Sequence, residues 1–511
     1  MISPINVTSY PGVDPTGAAD STVAIQACFT SNPGREVFFP AGVYAISGPI
    51  TVSGGIVGEG PSSTTIQVNG GGYDAITLNA DCSYCDNIGF TSPTYRPSGV
   101  TVKFANSRRF QKLTRFSMSN QFMPIQNGVG TVVTEISSGE ILNTTPGANN
   151  AVIDIVGGND TFINKVLADN PLGSEPSWGI RINQSNAVWM TDNDMIHCGN
   201  GLGIVPNGPS GEVTFIFGIN NAFDSSASGT GVYIRPTNGA KVKGVQLIGN
   251  WSATNVVGCS ISTDRTSNTL VDGVQFSSSR FLNNKLEGVI LDCGSQGKNI
   301  DFDDCSILSN SRDPVGSHAG FLASTDSQSF RIRGGRSGAG YGFGPRHSYG
   351  VIIAGNCSDY EVNGVDLRGN ITGGLQNLSP QTENGRIRDN VGYVTPWTTT
   401  NPIPVALSGS FVSAAAVVNY RRTSEGLVHY SGQVSVPAGG MGTATGAITV
   451  AMPFASADNH VAAARNIDAT GQAGVATMYA GAPTLYLTRY DNGTLVTGPG
   501  TVAFSGTYRV A

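Results

Sequence analysis

Apolar residues recur along this chain at alternate positions in short runs, and a glycine opens many of the runs. The tetrad Gly-x-x-aliphatic occurs as Gly179–Ile182, Gly201–Ile204, Gly231–Ile234, Gly258–Ile261, Gly288–Leu291 and Gly350–Ile353, with a weaker copy at Gly320–Ala323. The copies are spaced by roughly 22 to 32 residues, a period that signals stacked repeats. After each tetrad comes a second alternating stretch closed by Asn. Val245 and Leu247 lead to Asn250, and Val274 and Phe276 to Asn283-Asn284. Ile300, Phe302, Cys305 and Ile307 lead to Asn310, and Val362, Val365 and Leu367 to Asn370.

Alternation of this kind predicts short strands with one buried face. Gly and Asn are expected at turns, where the backbone turns left-handed. One unit cannot bury its own face, so copies must stack. With no helices between the strands, the pattern predicts an all-β chain built on a right-handed parallel β-helix. A β-sandwich would show turn signals every 8 to 12 residues without a longer register.

The two ends differ from the repeat. Ala19-Asp20-Ser21 reads as a cap, and Val23, Ala24, Ala27 and Cys28 as the apolar face of a short helix ending near Asn32-Pro33-Gly34. That helix is expected to cover the edge of the first coil. The repeat fades after Gly374 and Asn390, and Pro396–Pro402 has the composition of a linker. Beyond it, Val417–Tyr420, Leu427–Val436, Ala447–Val450, Thr484–Tyr490 and Gly500–Val510 read as strands of a β-sandwich. Arg421–Gly426 reads as a hairpin turn. The predicted division is therefore 1–395 and 396–511.

Composition agrees with this class. Among 511 residues 68 are Gly, and only 13% are charged, about half the usual share of roughly 25%. The hydrophobic fraction of 39% supports a large core and argues against disorder. A net charge of −6 without a basic block disfavours a nucleic-acid partner. No signal peptide and no membrane insertion are expected from the amino terminus or from the apolar runs. The Cys82–Cys85 pair has no second half of a zinc site, and the eight cysteines are expected as small core residues. No metal or cofactor is expected.

The opening segment carries a family resemblance. It reads Ile5–Tyr10, Gly12, Asp14, Asp20 and Ala24-Ile25-Gln26-Ala27, then Val37-Phe38-Phe39-Pro40-Ala41-Gly42-Val43-Tyr44 and Ile56-Val57-Gly58-Glu59-Gly60. This resembles the pectate-lyase-like superfold of polysaccharide-cleaving β-helices and bacteriophage tailspikes. By pattern the resemblance extends to about residue 392. The last 110 residues or so resemble the trimerisation or carbohydrate-binding modules that follow β-helices in tailspikes. The resemblance implies a polysaccharide depolymerase in a virion tail, a homotrimer attached to a tail or baseplate protein, with a bacterial surface polysaccharide as partner.

The chemistry follows from the repeat. Equivalent residues of successive coils lie about 4.8 Å apart. Acids concentrate between 264 and 313: Asp264, Glu287, Asp292, Asp301 and Asp303 are the candidate catalytic residues. With Ile300 and Phe302 inward, Asp301 and Asp303 should point outward, with Arg331 and Arg333 one coil later and Glu361 beyond. Glycoside hydrolysis needs two carboxyls about 5 to 9.5 Å apart. Asp264, Glu287 and Asp292 have no evident partner in register. Candidate sugar contacts are Trp178, Trp251, Tyr233, Arg235, Arg331, Arg333 and Tyr349, with Trp189 and Tyr341 also in or beside the coils.

Two other readings stay open. A lyase would draw its base and charge stabiliser from Lys285, Lys298, Arg331, Arg333, Tyr341 and His347. A non-catalytic receptor-binding fibre would need only multivalent sugar binding. The assembly itself is testable. Light scattering is expected to give a mass near three times 52.9 kDa; a mass near one chain at micromolar concentration contradicts the trimer.

Overall fold

The computed structural model describes residues 3–379, 385–393, 397–422, 427–468, 472–491, 495 and 497–510. The chain divides into two compact units. One comprises Met1–Arg386 with Asn390–Tyr393, the other Ile387–Asp389 with Val394–Ala511.

The first unit is an all-β parallel β-solenoid with almost no helix. Each Gly-x-x-aliphatic tetrad lies on a strand of a 13-stranded parallel sheet, such as Thr230–Ile234, Val257–Ser262 and Val289–Asp292. The Asn-closed stretches form a larger parallel sheet of 24 strands, often two per coil. Lys241–Ile248 stacks on Leu270–Ser277, which stacks on Gly297–Asp303 and then Gln328–Arg333. Inward residues fill the core, where Phe276 and Phe302 stack face to face at 5.0 Å.

The glycines of the tetrads do a different job from the one expected. They are not left-handed. A Cβ on Gly258 would sit 2.4 Å from the carbonyl oxygen of Gly288 and 2.7 Å from Nδ2 of Asn284. One on Gly288 would meet Nδ2 of Asn310 at 2.6 Å. Close approach of coil to coil is what excludes a side chain here. Left-handed backbone occurs elsewhere, in a column that bends the larger sheet. Phe215, Gly244, Gly273, Asn299, Ser329 and Asp359 have φ of 58°, 66°, 69°, 51°, 55° and 47°.

The closing asparagines form a buried ladder. Asn284 accepts from the Asn255 N–H at 2.9 Å and donates to Asn310 Oδ1 at 2.7 Å. At the next rung His347 replaces Asn: its Nε2 accepts from the Asn310 N–H at 2.8 Å, and Nδ1 meets Asn370 Oδ1 at 3.1 Å. His347 is completely buried, so this lyase candidate has no surface for a polymer.

Near the amino terminus the helix Thr22–Ser31 buries Ile25, Cys28 and Phe29, while Val23 is exposed. Its first N–H is capped by the Asp20 carboxylate, because the Ser21 hydroxyl accepts from Asp14 instead. All eight cysteines are free; seven are buried and Cys82 is exposed.

The second unit carries a nine-stranded antiparallel sheet. Its strands include Ala415–Arg422, Leu427–Val436, Thr445–Ala451, Thr484–Arg489 and Gly500–Arg509, and its core gathers Val418, Tyr430, Leu485, Leu487 and Phe504. Four strands escaped the sequence pattern: Thr398–Thr400, Val405–Ser408, His460–Asn466 and Ala473–Met478. Thr398–Thr400 corrects the expected linker. Its β-branched residues pair with Tyr420, Asn419 and Val418. The expected turn residues 423–426 and the expected boundary at 395–396 lie outside the described residues.

Burial pushes the His347 pKa down to about 4 from an ordinary 6.5. Between these values the unfolded chain holds a proton that the folded chain lacks, so stability is complete above pH 6.5 and falls as pH drops toward 4. At 1.36 kcal/mol per unit the loss is about 3 kcal/mol. His347→Asn restores an asparagine rung and is expected to remove this part of the loss. Melting temperatures at pH 7.5 and 4.5 check it; an equal drop in both proteins contradicts it.

Candidate functional site

On its outer face the larger sheet carries a column in register: Gln246, Gln275, Asp301, Arg331 and Glu361. Beside it runs Ser277, Asp303, Arg333 and Asn363. Period-2 alternation places Asp301 and Asp303 on the same side of one strand. Their Cα atoms are thus about 6.6 Å apart at roughly 3.3 Å per residue.

These two carboxyls have different surroundings. Asp303 accepts from Gln275 Nε2 at 3.1 Å and lies 3.6 Å from Arg333 Nη1. Arg333 Nε also donates to Glu361 Oε2 at 3.1 Å. Asp301 makes no hydrogen bond or ion pair among the described residues. Arg331 faces it in register, but that guanidinium donates to Asp359 Oδ1 at 2.8 Å and to the Asp359 carbonyl at 2.6 Å. Burial pushes the Asp301 carboxyl above the ordinary carboxylate value. Asp303 and Glu361 push the same way, and Arg333 and Arg331 hold it back. One strand therefore presents a carboxyl that burial disposes to keep its proton beside one held by an amide and a guanidinium.

The same column continues in the other direction as aromatics. Phe162, Trp189 and Phe217 follow in register and lead to Gln246. Their rings stack at 4.8 and 5.7 Å, and each is half-buried. Ile219 and Ile248 flank them, both exposed.

The other expected site residues fall elsewhere. Asp264 and Asp292 lie at the edge of the 13-stranded sheet, because the turn Cys293–Gln296 carries the chain to the other sheet before Asp301. Each has a partner that the repeat did not reveal. Burial raises the Asp264 carboxyl, but hydrogen bonds from the Asn238 N–H and from Thr266 and Thr269 outweigh it and hold the pKa near 2. Asp292 pairs with Arg265 at 2.5 Å. Glu287 is buried rather than solvated, with His318 Nδ1 at 2.8 Å.

Trp178, Tyr233 and Arg235 do come together on the 13-stranded sheet. The two rings are 6.0 Å apart, and Arg235 Nη1 donates to the Tyr233 hydroxyl at 3.0 Å. Trp251 lies on a third run of short strands, under the Arg280 guanidinium at 5.8 Å. Tyr349 packs over Gly373. Lys285 pairs with Asp313 at 3.8 Å, Lys298 stacks in register on Asp272, and Tyr341 is exposed.

A second carboxyl cluster was not found from sequence. Asp194 sits in register with Ala222 and Trp251, and Asp169 with Ile196 and Asp224. Burial raises the Asp194 carboxyl, with Asp224 and Asp169 adding to it, and its enclosed Oδ1 has no hydrogen-bond partner. Asp169 Oδ1 is 3.0 Å from His197 Nδ1. The spacing Asp192-Asn193-Asp194 is the only local signal for it. Among the described residues no group of three or more His, Cys, Asp or Glu side chains could hold a metal ion, and no helix is long and apolar enough to cross a membrane.

Residues 4–221 match the family model described as rhamnogalacturonase A/epimerase, pectate lyase-like. No curated protein matches the sequence. Among solved structures, the mannuronan C-5 epimerase AlgE6 A-module of Azotobacter vinelandii aligns at 15% identity over 77% of this chain and 100% of its own, with a TM-score of 0.47. A tailspike protein mutant of E. coli bacteriophage HK620, in complex with pentasaccharide, aligns at 11% identity over 98% and 93%, with a TM-score of 0.43. The catalytic unit of a thermostable GH87 alpha-1,3-glucanase from Streptomyces thermodiastaticus aligns at 13% over 78% and 70%, with a TM-score of 0.38.

Proposed function

We propose that this chain binds and shortens a bacterial surface polysaccharide by endo-glycoside hydrolysis, with Asp301 as general acid and Asp303 as general base. The observation that carries the reading is the pair of outward carboxyls on one strand, one raised and unpartnered, the other bonded to Gln275 and Arg333. Glycoside cleavage needs one protonated and one ionised carboxyl. The two Cα atoms stand about 6.6 Å apart on one face of the strand, and a carboxylate that acts as base on a water rather than as nucleophile inverts the anomeric centre. The match to a family described by a rhamnogalacturonase and an epimerase supports polysaccharide chemistry.

The finer assignment belongs to the same reading: a right-handed β-helix closed at its amino end by Thr22–Ser31, in a homotrimeric phage tailspike attached to a tail or baseplate protein. The second unit, as a β-sandwich, would trimerise or bind carbohydrate. Exposed Ile403, Val405, Leu407 and Val412 give it an apolar strip suited to self-association. A second location for the chemistry is the Asp194 cluster, favoured by its enclosed, unpartnered oxygen.

The test is incubation with a panel of capsular, O-antigen and exopolysaccharide chains, followed by size-exclusion chromatography. Asp301→Asn and Asp303→Asn are each expected to slow shortening by about 100-fold or more. Asp264→Asn and Asp292→Asn are expected to stay within about tenfold, since those acids serve local hydrogen bonds and an ion pair. Native rates in both Asp301 and Asp303 variants contradict the site, and a loss in Asp194→Asn instead moves it to the second cluster. Products that absorb in the ultraviolet indicate a lyase.

A further inference from the structure

We propose that Arg333 is a positioning residue: its guanidinium clamps Asp303 and Glu361 as the ionised members of the cluster and thereby leaves the transferable proton to Asp301. This rests on the hydrolytic reading above.

The geometry comes from the stack. Arg333 is in register with Asp303 on the preceding coil and Asn363 on the following one. From there Nη1 lies 3.6 Å from Asp303 Oδ1, and Nε donates to Glu361 Oε2 at 3.1 Å. One guanidinium thus bridges carboxylates two coils apart. Gln275 holds the other Asp303 oxygen at 3.1 Å, which fixes that carboxylate from both sides.

The groups facing Asp301 are Gln275 from the preceding strand, Asp303 from its own, Arg331 and Arg333 from the next, and Glu361 beyond. The nearest cation in register, Arg331, is engaged by Asp359. Asp301 therefore sits beside two anions, and Arg333, although its charge also acts on Asp301, makes its hydrogen bond and its close ion pair with those two anions. Burial already favours the proton on Asp301, and the clamp adds to that difference by holding Asp303 and Glu361 ionised. The arginine fork suits this bridging because its donors point along separate edges, whereas lysine supplies the charge without the fork.

The test combines two measurements on the full chain. In the first, 13C-carboxyl resonances of aspartate and glutamate, assigned with Asp303→Asn and Glu361→Gln, are titrated in native protein and in Arg333→Gln. Asp303 and Glu361 are expected to titrate at least about one pH unit higher in the variant. In the second, the acidic limb of the kcat/KM profile for polysaccharide shortening is expected to move up by a similar amount in Arg333→Gln and to return most of the way in Arg333→Lys. Unmoved Asp303 and Glu361 titrations overturn the proposal, as does a rate loss with an unshifted profile, which marks a purely structural arginine. The titration needs no substrate, so its outcome stands apart from the hydrolytic reading, which fails separately if Asp301→Asn cleaves normally.

Discussion

Hydrogen bonding between successive coils fixes nearly every other feature of the solenoid. Parallel stacking places each residue about 4.8 Å above its counterpart and holds that register along the whole sheet. The tetrad glycines follow from it, since carbonyl oxygens and ladder amides of the neighbouring coil occupy the space a Cβ would need. The asparagine ladder follows as well. A turn buried inside the stack has N–H groups that must be satisfied, and a side-chain amide repeated at each coil both accepts from one neighbour and donates to the next. His347 fits the ladder as a neutral ring, and its burial there is the source of its low pKa.

The same register builds the outer face. Inside, it stacks Phe276 on Phe302; outside, it stacks aromatic residues, then amides, then charges. Like charges in direct register are destabilising, and the outer column avoids them by alternating Asp301, Arg331 and Glu361. The alternation does not neutralise each neighbour. Arg331 turns to Asp359 and Arg333 to Asp303 and Glu361, so at Asp301 burial and two neighbouring anions outweigh the pull of the two arginines. A structural rule thereby yields a carboxyl disposed to hold a proton on the outer face of the larger sheet.

Alternation made part of this readable in the sequence. Ile300 and Phe302 inward require Asp301 and Asp303 outward, and the period carries the count to Arg331, Arg333 and Glu361. Positions that depend on the path of a turn could not be read in this way. Asp292 is only nine residues before Asp301, yet the intervening turn puts it on the other sheet beside Arg265. Glu287 meets His318 from a long loop of the next coil. Asp194 and Asp224 stand on strands of three residues, too short to show a period. In the second unit, His460–Asn466 and Ala473–Met478 are rich in Ala and Gly, whose weak strand preference hid them until their pairing partners were in place.

The central claim is that two carboxyls on one strand act on opposite sides of a glycosidic bond, with a water between one of them and the sugar. Proton NMR of the first products from a polysaccharide the chain shortens reads this directly through the anomeric signal of the new reducing end. The account predicts that the signal first appears in the configuration opposite to that of the cleaved linkage, and then mutarotates. A new reducing end that retains the original configuration would contradict it.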